Sequence, residues 1–226
     1  MNAQKFRLRE ILGATLADPD KYVIIGMRHG EKEAGSGDVS LTDHGRKQAG
    51  AMLRYLNKEG FCPDIIAYSV AVRTWQMSVL AASLWHYDIT KIVGEMRFHF
   101  AALAEQLFPG NPRAVLEEAA QIKEAGGTVA KAMEMSVFAG LAGAQVMEGI
   151  LTLATAFRGV GGLRCGIFFS HSPLLECAAV DEEHTPYCLG ECDAILWVVK
   201  WDGKLRQNKL ISSHYIKAVM PYVINV

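Results

Sequence analysis

The spacing of apolar and polar residues changes several times along the chain, and each change predicts a new element. Residues 22–27 form an uninterrupted apolar run, which is typical of a strand buried on both faces. Before this run, apolar residues over 3–16 recur at helical spacing and predict an N-terminal helix. After it, Thr42 predicts the N-cap of a second helix that ends near Gly60.

The alternation of strands and helices continues beyond Gly60. Residues 65–68 predict a short strand, 71–85 a helix, and 91–95 another strand. Because strands that alternate with helices are joined by right-handed crossovers, this order favours a largely parallel sheet.

The pattern becomes purely helical from about residue 100 to 157, where Ala, Met, Glu and Lys are frequent. A strong strand candidate then covers 167–170, and 194–201 with 205–211 predict a β-hairpin. We therefore predict one domain over residues 1–226. Its fold is a three-layer αβα sandwich with a mostly parallel central sheet, and residues 100–157 form a helical cap insertion.

Composition and charge narrow the function classes. The chain has 226 residues, 50% hydrophobic and 21% charged, with a formal net charge of −1. This balance argues against a nucleic-acid partner and against a polybasic membrane anchor. The apolar run between Glu134 and Glu148 is too short to cross a bilayer. The five cysteines are an odd number in apolar surroundings, and residues 1–9 lack an apolar leader, so we expect reduced thiols and a cytoplasmic location.

The candidate chemistry lies where the predicted strands end. His29 follows the first apolar run and His171 follows the strand at 167–170, while Arg28 adjoins His29 and Arg73 comes shortly after the strand at 65–68. In a parallel sheet these strand ends face the same edge. Neutral imidazole is a nucleophile, and guanidinium groups bind phosphate through two hydrogen bonds. The four residues predict a phosphate site.

Four motifs in order resemble the histidine phosphatase superfamily, also called phosphoglycerate mutase-like. They are Arg28-His29-Gly30-Glu31, Leu41-Thr42-x-x-Gly45-x-x-Gln48-Ala49, Ser69-Val70-Ala71-Val72-Arg73-Thr74-x-Gln76 and Ser170-His171-Ser172. The resemblance implies a phosphohistidine mechanism with His29 as nucleophile. It further implies that Arg28, Arg73 and His171 bind the phosphoryl group, and that no metal or other cofactor is required.

The superfamily also uses a carboxylic acid that protonates the leaving oxygen and then activates water. In the branch that this chain resembles, the acid is a Glu after the strand that follows the second arginine. Glu95 matches this position, and Glu105 is the alternative. A group with both roles works best when its pKa is raised towards the working pH.

Two departures from the superfamily pattern bear on the activity. Lys32-Glu33-Ala34-Gly35 stands where a Ser or Thr and an Asn that touches phosphate are common, with Ser36 as a substitute, and Ser172-Pro173 stands where Gly-Gly is common. The predicted function is hydrolysis of phosphate monoesters. Phosphoglycerate mutase-like phosphoryl transfer and a non-catalytic phospho-ligand binding module are the alternatives. The expected partner is a small phosphorylated substrate, with phosphate or another oxyanion in the site; the particular substrate and the oligomeric state stay open.

Other residue clusters favour structural roles. His184, Cys188 and Cys192 have a spacing suited to zinc, but Pro186 and Gly190 interrupt any helix that would align them. We interpret the remaining histidines as surface or structural residues; they are His44, His86, His99 and His214.

Overall fold

A computed structural model describes residues 8–35, 38–99, 109–111, 114, 137–172, 174–178 and 189–218. The helices are α1 (Leu8–Leu16), α2 (Asp43–Lys58), α3 (Val72–Trp85), α4 (Val137–Val160) and α5 (Leu174–Cys177). The strands are β1 (Lys21–Arg28), β2 (Ile65–Tyr68), β3 (Val93–Gly94), β4 (Cys165–Ser170), β5 (Ala194–Asp202) and β6 (Gln207–Ile216). Short 3-10 turns cover Ile89–Lys91 and Met96–Phe98.

The six strands form one sheet in the order β3-β2-β4-β1-β5-β6. The first four strands in this order pair in parallel, whereas β5 is antiparallel to β1 and β6 is antiparallel to β5. The mostly parallel α/β sheet that the sequence predicts is confirmed. Because β1, β2, β3 and β4 run in the same direction, the residues that follow them meet at one edge.

Side chains of the central strands alternate between two hydrophobic cores. Val23, Ile25 and Met27 of β1 pack with α1, α2 and α3, while Tyr22 and Ile24 pack with α4 and α5. Strand side chains point to opposite faces with a period of two, so a strand that is apolar at every position is covered on both sides. The helices on the two faces complete the sandwich.

Helix α4 forms part of one of these helical layers. Ala142, Val146, Ile150 and Phe157 are fully buried against the sheet, so this described part of the predicted cap insertion packs on the sheet. The rest of that prediction, residues 100–108, 112–113 and 115–136, lies outside the described residues. By length and composition, Gly140–Val160 would also be long and apolar enough to cross a bilayer.

Candidate active site

The two motif histidines lie side by side at the carboxyl edge of the sheet. Arg28 pairs with Ser170 in the parallel register of β1 and β4, and the His29 amide donates to the Ser170 carbonyl at 3.1 Å. His171 directly follows β4, so the register brings both imidazoles to the same edge of the sheet. Their ring centroids are 5.3 Å apart with an interplanar angle of 65°.

The His29 ring is held in one tautomer. Nδ1 lies 2.8 Å from the Gly30 carbonyl oxygen, and because a carbonyl can only accept, Nδ1 carries the proton. Nε2 then presents a lone pair. Burial lowers the pKa of His29 to about 4, and the positive charges of Arg73, Arg28 and Lys32 act in the same direction. The ring is therefore neutral at neutral pH, the state in which an imidazole has a lone pair to attack with.

His171 is more deeply buried than His29 and forms hydrogen bonds with Arg73 and with Ser69, the residue after β2. Arg73 Nη2 donates to His171 Nδ1 at 3.1 Å, and His171 Nε2 lies 2.7 Å from Ser69 Oγ. Since Nδ1 accepts, Nε2 carries the proton and donates to the hydroxyl. Burial, then the charge of Arg73, holds the pKa of His171 well below its usual range. This ring is therefore also neutral at neutral pH.

The two arginines contribute positive charge that their protein contacts neutralise only in part. Arg28 Nη1 donates to the Leu189 carbonyl at 2.5 Å, and Arg73 Nη1 contacts Asp38 Oδ1 at 3.3 Å. The Nε atoms of both side chains are buried and have no hydrogen-bond partner within the described part of the chain. Buried donors of this kind are costly unless satisfied, and an oxyanion is the ligand they suit.

Motif residues other than the histidines and arginines hold the turn after His29 in place. Gln48 accepts from the Glu31 amide at 2.9 Å, Thr42 Oγ1 donates to Glu31 Oε1 at 2.8 Å, and Gln76 accepts from the Leu41 amide at 2.7 Å. Thr42 also caps α2 by accepting from the Gly45 amide. The motif residues that carry no reactive group thus build the frame of the site.

The side chain of Glu95, the predicted proton donor, forms a salt bridge with Arg97. One carboxylate oxygen accepts from Arg97 Nε at 2.9 Å and the other from Nη2 at 2.7 Å. These bonds lower the pKa of Glu95, whereas a proton donor gains from a raised pKa. Its role stays a prediction, and the alternative Glu105 lies outside the described residues.

Several other candidates are only partly described. Ser36, Pro173, His184 and Cys188 lie outside the described residues. Cys192 is buried, and burial raises the pKa of its thiol to about 12, so it is a poor metal ligand in this state. Across the described ranges, no group of three or more His, Cys, Asp or Glu side chains is arranged to hold a metal ion.

His99 is a site residue that no sequence motif singled out. We interpreted it as a surface or structural histidine, but its ring centroid lies 5.4 Å from that of His171, edge to face. The available signal was its place in the chain: His99 follows β3 by a single 3-10 turn, so it reaches the same sheet edge as His29 and His171.

One protein-family model matches part of the chain. Residues 24–101 match the family model described as histidine phosphatase superfamily (branch 1). The match includes Arg28, His29 and Arg73, while His171 lies beyond it and is assigned to the site by geometry. No curated protein sequence matches the chain significantly. The resemblance predicted from the motifs is confirmed.

Solved structures of low sequence identity share the fold. Phosphoglycerate mutase from Bacillus anthracis str. Sterne is 14% identical with a TM-score of 0.59, over 87% of this chain and 94% of that one. A mycobacterial glucosyl-3-phosphoglycerate phosphatase in complex with inorganic phosphate is 15% identical with a TM-score of 0.54, over 88% of this chain and 98% of that one. At these identities the likeness establishes the fold.

Proposed function

We propose that this chain, a phosphoglycerate mutase-like fold whose residues 24–101 match the histidine phosphatase superfamily, hydrolyses phosphate monoesters through a phosphohistidine on His29. The observation that carries the proposal is the hydrogen bond between His29 Nδ1 and the Gly30 carbonyl. That bond leaves Nε2 unprotonated, in a ring that neighbours His171, which in turn binds Arg73. A neutral imidazole in a positive pocket suits attack on an anionic phosphoryl group.

The reaction has two displacements at phosphorus. In the first, the His29 Nε2 lone pair forms the N–P bond while the ester P–O bond breaks, and a proton donor neutralises the departing alkoxide. In the second, a water oxygen forms a P–O bond, the N–P bond breaks, and the proton of the water passes to the group that acted as donor. Inorganic phosphate leaves and the enzyme returns to its starting state.

The positive side chains supply most of the stabilisation in both steps. Phosphoryl transfer spreads negative charge over the equatorial oxygens, and preorganised cations stabilise that charge. Arg28 and Arg73 supply the positive charge beside the two histidines, and their buried Nε atoms have no hydrogen-bond partner among the described residues. His171 Nδ1 accepts from Arg73 here; with a phosphoryl group bound, Arg73 can donate to the anion instead.

Two related structures support an oxyanion-binding role for this fold. The mycobacterial phosphatase named above is described in complex with inorganic phosphate, and a second structure of it is described in complex with VO3. Vanadium oxyanions resemble the transferring phosphoryl group in shape and charge. We propose that the equivalent position of this chain, between His29 and His171, receives the phosphoryl group of a small substrate.

The test is turnover of p-nitrophenyl phosphate by wild type and His29→Ala. We expect wild-type turnover and a loss of at least about 10³-fold in the variant, because nothing else in the pocket replaces the nucleophile. His86→Asn is the matched control, since His86 is exposed and adopts a φ of 53° that Asn tolerates. Equal turnover of wild type and His29→Ala would overturn the nucleophile. Phosphate binding without any wild-type turnover would favour a binding module.

A further inference from the structure

We propose that His99 is the proton-transfer residue of this site: its imidazolium protonates the leaving oxygen, and its neutral ring then accepts the proton of the attacking water. The inference rests on the proposed function and adds one catalytic residue to it. Three observations carry it: the place of the ring, the contacts that hold its backbone, and the engagement of the carboxylate that was expected in this role.

The ring of His99 belongs to the same pocket as the two motif histidines. His171 is in edge contact with His29 at 5.3 Å and with His99 at 5.4 Å between ring centroids. His171 is thus the shared neighbour of both rings, and the inference requires that the ester oxygen of a phosphoryl group bound beside His171 faces His99. His99 is half-buried, as suits a group that must meet both a substrate and a water molecule.

The backbone around His99 is fixed by contacts from two other elements. Ser170 Oγ, one residue before His171, donates to the Phe98 carbonyl at 2.7 Å, and Gln145 of α4 donates to the Arg97 and His99 carbonyls at 2.8 and 3.3 Å. Phe98 is fully buried and stacks on Phe168 of β4 at 3.8 Å. Because Phe168 and Ser170 belong to β4 and His171 directly follows that strand, the position of His99 is coupled to the position of His171.

The local electrostatics suit a group that changes protonation when substrate binds. Burial and the charge of Arg73 lower the pKa of His99, and Asp38 opposes them. A bound phosphate dianion offsets the positive charge of Arg73 and so raises the tendency of His99 to hold a proton. The inference therefore requires the imidazolium to form in the substrate complex and the neutral ring to return after the alkoxide has left.

Glu95 is committed to a different task. Both its carboxylate oxygens bind Arg97, and Arg97 also reaches Thr152 Oγ1 of α4 at 2.7 Å. This network fixes the turn at Met96–Phe98 against helix α4, and His99 directly follows that turn. We assign Glu95 a positioning role in the same loop, with its proton absent at neutral pH.

The experiment compares two substrates that differ in their need for a proton. The p-nitrophenolate ion is stable in neutral water, whereas phenolate is a poorer leaving group, so loss of a proton donor slows phenyl phosphate more than p-nitrophenyl phosphate. We expect the ratio of kcat/KM for the two substrates to widen by about 10²-fold in His99→Asn and His99→Gln relative to wild type. Glu95→Gln is the matched carboxylate variant, and we expect it to leave the ratio within about threefold, while lowering both rates if the loop loosens.

Each outcome decides the assignment. The role of His99 is overturned if the kcat/KM ratio widens only in Glu95→Gln, if it widens in the Glu95 and His99 variants alike, or if it widens in none. These outcomes leave the proposed function standing as long as His29→Ala is inactive. A wild-type protein that turns over neither substrate overturns the proposed function and the inference with it. Because p-nitrophenyl phosphate needs no proton donor, residual turnover of it by His99→Asn also reports that the variant is folded.

Discussion

The backbone of Gly30 packs directly on the backbone of Gly45. A Cβ atom built on Gly30 would lie 2.5 Å from the Gly45 carbonyl oxygen, and one built on Gly45 would lie 2.0 Å from the Glu31 carbonyl oxygen. The turn after β1 and the first turn of α2 thus lie so close together that neither glycine can be replaced by a residue with a Cβ atom without moving the backbone. Since the Gly30 carbonyl holds His29 Nδ1, this contact determines the orientation of the proposed nucleophile.

Gly45→Ala should destabilise the fold and displace the turn. The added methyl meets backbone, which cannot move aside, so we expect a loss of about 1–3 kcal/mol in the free energy of unfolding. Gly50→Ala in the same helix is the control, because its Cβ would meet only the flexible end of Arg54 at 3.2 Å. It should be neutral or stabilising by up to about 1 kcal/mol. Urea unfolding of both variants measures this, and equal effects would contradict the packing argument.

His29 should make stability rise with pH below neutrality. Its pKa is about 4 in the folded protein and 6.5 in the unfolded chain, so the unfolded state binds the extra proton between these values. Stability then increases with pH through this window and is complete above 6.5. His29→Gln should remove this dependence, worth about 2–3 kcal/mol between pH 4.5 and 7.

The measurement is the difference in unfolding free energy between wild type and His29→Gln at pH 4.5 and pH 7. The difference matters because other groups titrate in the same range, including His171 with the same sign. A variant whose stability changes with pH in parallel with wild type would contradict the lowered pKa.

Glu176 should act in the opposite direction. It is fully buried, and burial raises its pKa to about 7, while one carboxylate oxygen has no hydrogen-bond partner among the described residues. The folded state keeps its proton above the unfolded pKa of 4.5, so this stability is present below pH 4.5 and is lost as pH rises through 7.

The neutral variant Glu176→Gln keeps an oxygen for Ser172 and Leu189 and cannot ionise. Relative to wild type, it should gain on the order of 2–3 kcal/mol at pH 8 compared with pH 4.5. Urea unfolding at the two pH values checks this result. A difference that does not change with pH would show that the carboxyl group ionises normally.

Arg73→Lys should weaken oxyanion binding although the charge is kept. Arg73 places separate nitrogens towards His171 and Asp38, a geometry that one ammonium group cannot reproduce. We expect the inhibition constant of inorganic phosphate to rise by about 10- to 100-fold. Arg54→Lys, on the exposed face of α2, is the control and should leave it unchanged. An unchanged constant in Arg73→Lys would place the anion elsewhere.

Local patterns predicted the central strands β1, β2 and β4 well because their residues are almost all apolar. The predicted strand at 65–68 has the observed bounds of β2, and the predicted N-cap Thr42 is confirmed by its bond to the Gly45 amide. Within α4, Ala144 is exposed while Val146 and Ile150 are buried. Helix α4 is apolar on most of its circumference, so periodicity cannot select the buried face.

The sequence by itself determined the order of strands and helices, and it identified His29, His171, Arg28 and Arg73 as candidates, because motif spacing and strand ends are local properties. Only the tertiary structure decided which proton His29 carries, that Glu95 pairs with Arg97, and that His99 joins the pocket. Those facts depend on contacts between residues far apart in the chain, and on burial, which sets the free energy of charging each group.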